Sequence, residues 1–170
     1  EMLRSLAIDD DGNIVAGGGL IHPDGIDSIL ARYTPNGELD VSFGTDGLVS
    51  TDFGNYDTIF SLAIDGNGNI VTGGTVTSTN GDDFALARYK PNGELDASFG
   101  TNGLVSTDFG GNDDWITSLA LDSDGNIVAG GGCEDSEGGR DFALARYKPS
   151  GELDASFGTD GLVSTDFGGG

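Results

Sequence analysis

A chain of 170 residues carries 29 Asp and Glu against 7 Lys and Arg, a formal net charge of −22. That balance excludes nucleic acid as a partner, because binding it needs a positive patch, and it disfavours an anionic membrane surface for the same reason. A hydrophobic content of 36% is too high for a disordered acidic tail, and the 31 glycines show no three-residue collagen period.

The pattern that organises the chain is a repeat. SLAIDDDGNIVAGG from Ser5 returns as SLAIDGNGNIVTGG from Ser61 and as SLALDSDGNIVAGG from Ser118. A second block keeps the same beat, LARYTPNGELDVSFGTDGLVSTDFG from Leu30, with counterparts from Leu86 and Leu144. The units are residues 1–56, 57–113 and 114–170. Each is too small to bury a good core alone, so they are read as one continuous array of a single supersecondary unit.

Each unit divides into four short β-like runs. In the third copy the first is 116–122, where Leu119 and Leu121 alternate with Ser118 and Ala120. An Asp-Gly-Asn turn follows, then a second run, 126–129, that ends in Gly130 and Gly131. The glycines, in phase with the repeat, are expected to mark turns. After a loop of variable length comes the third run, 141–147. It places Phe142, Leu144 and Arg146 on one face and Ala143, Ala145 and Tyr147 on the other. A long connection then leads to the fourth run, 162–167. In that connection Phe43, Phe99 and Phe157, with Leu39, Leu95 and Leu153, are expected to plug the loop onto the sheets. Frequent Gly and Pro leave no window for a 3.6-residue period. The expected fold is all-β: three four-stranded antiparallel blades of β-propeller type, with a β-solenoid as the alternative.

The combination DFALARYKPNGELDASFGTNGLVSTDFG and SLALDSDGNIVAGG resembles the delta-60 tandem repeats of large bacterial proteins. The resemblance covers almost the whole chain. It implies a propeller-like architecture and a secreted or cell-surface location, and it supplies no catalytic residues.

Several residues are candidates for chemistry. Asp9 and Asp11, Asp65 and Asn67, and Asp122 and Asp124 offer alternating oxygens before a glycine, as a hard cation such as calcium requires. A tight hairpin asks for the same residues and ranks first. Position twelve of an EF-hand would fall on Leu20, Val76 and Cys133, which excludes that motif. Arg32, Arg88 and Arg146 recur in a chain nearly devoid of cations. They are expected to form structural ion pairs, either with Asp40, Asp96 and Asp154 or with Asp52, Asp108 and Asp166. Cys133 stands alone, so no internal disulfide exists, and it reads as a small apolar substitute.

Carboxylate pairs, like every other recurring feature, come in triplicate, which marks scaffold rather than a catalytic dyad. No nucleophile–base pair, no Cys/His metal cluster and no phosphate-cradling loop is present, so no enzyme activity and no resident cofactor are expected, calcium being the candidate ion. No apolar run approaches the roughly 18 residues of a membrane-spanning helix, and no signal-peptide pattern is visible.

The loops between second and third runs differ most among copies and are the expected binding surface. They carry His22 and Asp24; Thr77, Ser78 and Asn80; and Glu134, Asp135 and Glu137. Propellers close with about four to eight blades, so three leave the ring incomplete. The functional expectation is a non-enzymatic extracellular or cell-surface scaffold. It self-assembles, or joins adjacent repeats, as a closed ring or a head-to-tail filament, and presents its variable loops for adhesion or ligand binding. The alternative is a carbohydrate-binding or carbohydrate-processing propeller, calcium-stabilised, with Trp115, Tyr56 and Tyr89 as stacking residues.

Overall fold

The computed structural model describes residues 1–54, 56–135 and 137–168. Twelve strands form three four-stranded antiparallel sheets, and no helix occurs among the described residues. Blade 1 holds β1 (Met2–Ile8), β2 (Ile14–His22), β3 (Gly25–Tyr33) and β4 (Leu48–Thr51). Blade 2 holds β5 (Asp57–Ile64), β6 (Ile70–Thr77), β7 (Asp82–Tyr89) and β8 (Leu104–Thr107). Blade 3 holds β9 (Asp114–Leu121), β10 (Ile127–Glu134), β11 (Arg140–Tyr147) and β12 (Leu162–Thr165). Each sheet is a simple meander, with neighbours in sequence paired in space.

Two cores lie between the blades rather than within any one of them. Val15, Leu30 and Phe43 of blade 1 face Ile59, Leu62, Ile70, Ala87 and Tyr89 of blade 2. Val71, Phe84, Leu86 and Phe99 on the other side of blade 2 face Ile116, Ile127, Ala129, Ala143, Ala145 and Tyr147 of blade 3. A single blade is thus apolar on both faces, and full burial of each large side chain contributes about 1.5–3 kcal/mol only when the next blade is in place. Because the three blades form no closed ring, one face of blade 1 and one of blade 3 stay open.

The second strands correct the sequence reading. β2, β6 and β10 run straight through Gly17–Gly19, Gly73–Gly74 and Gly130–Gly132 instead of stopping there. The reason is space, not turn geometry. The first strand of each blade carries one extra residue, at Arg4, Phe60 and Thr117, where the register shifts. The bulge drives a backbone carbonyl at the facing glycine: a Cβ on Gly18, Gly74 or Gly131 would lie 1.8 Å from the carbonyl oxygen of Met2, Thr58 or Trp115. The neighbouring glycine instead receives a side chain from the following blade, Leu62 over Gly17 and Leu119 over Gly73. The fourth strands are shorter than expected, four residues each, because the chain turns away after Thr51, Thr107 and Thr165.

Candidate functional site

The same polar contacts tie both blade junctions. The Arg32 side chain donates from Nη1 to the carbonyl of Pro91, and Arg88 does so to Pro149. Gly44 N–H donates to the Asn92 carbonyl, and Gly100 N–H to that of Ser150, at 2.8 Å each. Tyr89 donates its hydroxyl hydrogen to Thr51 Oγ1, and Tyr147 to Thr107 Oγ1, at 2.8 Å. Burial pushes both tyrosine hydroxyls up to about 12. Leu62 N–H reaches Ser5 Oγ, and Leu119 N–H reaches Ser61 Oγ.

Each arginine is also fixed inside its own blade. Nε of Arg32, Arg88 and Arg146 lies 2.8 Å from Oδ2 of Asp40, Asp96 and Asp154. The guanidinium carbons sit 4.8, 4.8 and 4.9 Å from the ring centres of Phe43, Phe99 and Phe157. Hydrogen bonds from Ser42, Ser98 and Ser156, with the arginines adding, hold those three carboxyls below their ordinary range. Of the two acid sets left open by the sequence, the structure puts the first beside the arginines. Asp52, Asp108 and Asp166 lie apart and accept the N–H of Gly54, Gly110 and Gly168.

The two open faces are the unmatched halves of this junction. On blade 1, Leu6 is 57% exposed and Ile8 64%, whereas Leu62, in phase with Leu6, is 7% exposed. Leu3 and Leu48 are exposed beside them. Leu3, Leu6 and Leu48 line an apolar groove with Ile14, Ala16, Leu20 and Tyr33. On blade 3, Leu144 and Phe142 are exposed, and Phe157 is only half-buried where Phe43 and Phe99 are sealed. Arg146, with no following blade to bond, is 28% exposed against 13% for Arg32 and Arg88. Gly130 has no leucine from another blade above it.

The Asp-rich hairpins use their carboxylates internally. Asp65 Oδ1 accepts the N–H of Asn67 and Asn69 while Oδ2 accepts the Asn69 amide. Asp9 and Asp122 repeat the arrangement with Asp11 and Asn13, and with Asp124 and Asn126. Asp11, Asn67 and Asp124 point outward at exposed positions. The left-handed residue that closes each turn is Gly12, Gly68 or Gly125, with φ of 83°, 80° and 79°.

The variable loops lie at the opposite ends of the strands. His22 Nε2 lies 2.9 Å from Asp27 Oδ1, and Asp24 is exposed. Thr77 donates to Asp82, Ser78 donates to the Gly81 carbonyl, and Asn80 is exposed. Asp135 accepts the N–H of Glu137 and Gly139, while Glu134 lies 3.9 Å from Arg140. Of the aromatic residues, Tyr56 is exposed, Trp115 is covered by Arg140 at 5.4 Å, and Tyr89 is sealed in a core and unavailable for stacking. Cys133 is buried, and desolvation together with Asp114, Asp141 and Asp135 pushes its thiol up to about 11, which makes it unreactive.

Near these loops lie two acidic groups that the sequence reading did not assemble. Asp27, Asp52 and Asp57 bring carboxylate oxygens within 4.8 Å of one another, as do Asp83, Asp108 and Asp114. A signal existed, since Asp27 and Asp83 are in phase, as are Asp57 and Asp114. Nothing local, however, shows that the third acid of each group comes from the following blade.

A family model described as "Domain of unknown function (DUF5122) beta-propeller" matches residues 10–43, 66–99 and 123–157, more than half of the chain. The chain belongs to this family. The propeller-repeat character implied by the delta-60 resemblance is thereby shown. In this DUF5122 propeller the matched segments run from each hairpin through the Arg strand to the plugging phenylalanine. Between them lie the fourth strand, the first strand and the connection that carries Asp52, Asp57, Asp108 and Asp114. A solved fucose lectin from Kordia zhangzhouensis, in complex with methyl-fucoside, aligns over 89% of this chain and 96% of that chain, at 12% identity and a TM-score of 0.47. No curated protein matches the chain.

Proposed function

We propose that the chain is a non-enzymatic structural scaffold of the cell exterior. It joins further blades of its own kind through its two open faces and presents its variable loops for adhesion or ligand binding. The carrying observation is a knob without a socket at one end and a socket without a knob at the other. Leu62 fills the space over Gly17, and Leu119 fills that over Gly73; Leu6 is exposed, and Gly130 is uncovered. A second copy set blade 1 against blade 3 brings Leu6 over Gly130 and Tyr33 towards Thr165, and gives Arg146 the carbonyl it lacks. Such a contact is head to tail, so two copies close a six-bladed ring or many copies extend a filament.

Sedimentation velocity over a hundredfold concentration range tests this, with electron microscopy of the largest species. Self-association is expected for the natural sequence. It is abolished by Leu6→Glu or Gly130→Val, which alter opposite ends. A monodisperse monomer at the highest concentration overturns the reading.

A further inference from the structure

We infer that Asp83, Asp108 and Asp114 form a binding site for a divalent cation, of the calcium class, that clamps blade 2 to blade 3. The three carboxylates bring oxygens within 4.8 Å of one another, and no Lys, Arg or His pairs with them among the described residues. Ser106 Oγ donates to Asp83, Gly110 N–H to Asp108 and Phe109 N–H to Asp114 Oδ2.

The second observation is Asp114 itself. The residue is 1% exposed, and its Oδ1 has no hydrogen-bond partner. A buried carboxylate with an unpartnered oxygen, set beside two further carboxylates, is strongly unfavourable unless a cation or a proton joins it. Desolvation, then Asp108, Asp83 and Asp113, raises this carboxyl above its ordinary value.

The first junction is the internal comparison. Asp57 stands where Asp114 does, but Phe53 N–H bonds its Oδ2 and Ser28 N–H bonds its Oδ1. His22 occupies Asp27 there. The connection from Phe109 to Asp114 is one residue longer than that from Phe53 to Asp57, and the Ser28-type bond is lost. The second junction therefore keeps open donor oxygens that the first has spent.

All donors are oxygens, which selects a hard cation. Carboxylates drawn from a strand, a connection and the start of another strand suit the adaptable coordination of calcium better than the strict octahedron of magnesium, with water completing the shell.

The test uses the 170-residue chain carrying Gly130→Val, so that self-association does not enter, after removal of metal by chelation. Isothermal titration with Ca²⁺ is expected to show one saturable site. Ca²⁺ at tenfold its Kd is expected to raise Tm by about 3–6 °C, with Mg²⁺ weaker. Asp114→Asn and, separately, Asp83→Asn remove the site, while Asp124→Asn on the exposed hairpin leaves it intact. Absence of saturable binding overturns the inference, as does undiminished binding in both Asp114→Asn and Asp83→Asn. If Asp114→Asn fails to fold, titration of Asp83→Asn decides alone.

Discussion

The three in-phase phenylalanines provide an experiment with its own control. Phe99 is fully buried; the Arg88 guanidinium lies over its ring, and Gly151 of blade 3 approaches so closely that a Cβ there would be 3.0 Å from the ring edge. Phe99→Ala removes the whole side chain from a core, a loss of about 3–5 kcal/mol, with the cation–π contact adding about 0.5–1 kcal/mol. Phe157 makes the same contacts within its blade, but nothing packs where Gly151 sits for Phe99. Phe157→Ala should therefore cost about 1.5–2.5 kcal/mol in a dilute monomer, roughly half the fully buried figure. Guanidinium unfolding followed by the single tryptophan, Trp115 in β9, whose ring packs against Gly132 and Arg140, reports the unfolding of blade 3. At protein concentrations that favour association the cost of Phe157→Ala should climb towards that of Phe99→Ala, because a partner blade completes its surroundings. Equal costs in dilute solution would refute the claim that the following blade supplies half of each phenylalanine's burial.

Gly73→Ala places a Cβ 2.9 Å from Leu119 Cδ2 and should lower Tm, whereas Gly130→Ala meets only the flexible end of Leu144 at 3.1 Å and should leave the monomer's Tm nearly unchanged; calorimetry of both variants compares them. Asp114→Asn, measured in chelator at neutral pH, should raise Tm because the amide keeps an acceptor for Phe109 N–H and removes a buried unpartnered charge. Asp57→Asn should lower it, since both of its oxygens accept N–H groups and an amide serves only one. Asp40, Asp96 and Asp154 have carboxyls held below the ordinary value, so the stability they contribute is present above the unfolded value of 3.8 and disappears as pH falls through the lower folded values. Ser98→Ala removes the largest cause of that shift at Asp96, so Tm should fall at neutral pH and the gap to the natural sequence should close in acid. A gap that persists at pH 2 would contradict the assignment.

Much of the blade was readable because its determinants are local. Alternation of two placed Ala143, Ala145 and Tyr147 on one face and Leu144 on the other, and that division is the one the two sides of blade 3 display. The hairpins announced themselves through Asp-Gly-Asn, and the plugging phenylalanines through recurrence in a connection otherwise polar. The continuation of β10 through Gly130–Gly132 was not readable. A glycine signals a turn unless something distant demands the empty space; at Gly131 the demand comes from a bulge across the sheet, and at Gly17 and Gly73, the counterparts of Gly130, from a leucine of the following blade.

The acidic junctions escaped the sequence for a related reason. The alternating Asp and Asn of one hairpin are neighbours in the chain, and the first carboxylate of each, Asp9, Asp65 or Asp122, is spent on its own turn. Asp83 is distant in sequence from Asp108, Asp114 lies across a blade boundary from both, and their meeting depends on how one sheet stacks on the next. The same dependence governs the phenylalanines, the arginine Nη1 atoms and the leucine sockets. What each repeat leaves unsatisfied is satisfied by its successor, so the energetic unit is the junction rather than the blade. A chain built on that rule stays incomplete at its terminal faces however well each blade folds. The exposed Leu6 and uncovered Gly130 are then consequences of the rule itself, and the surface proposed to meet a further blade is the one left over when the repeats are counted by junctions.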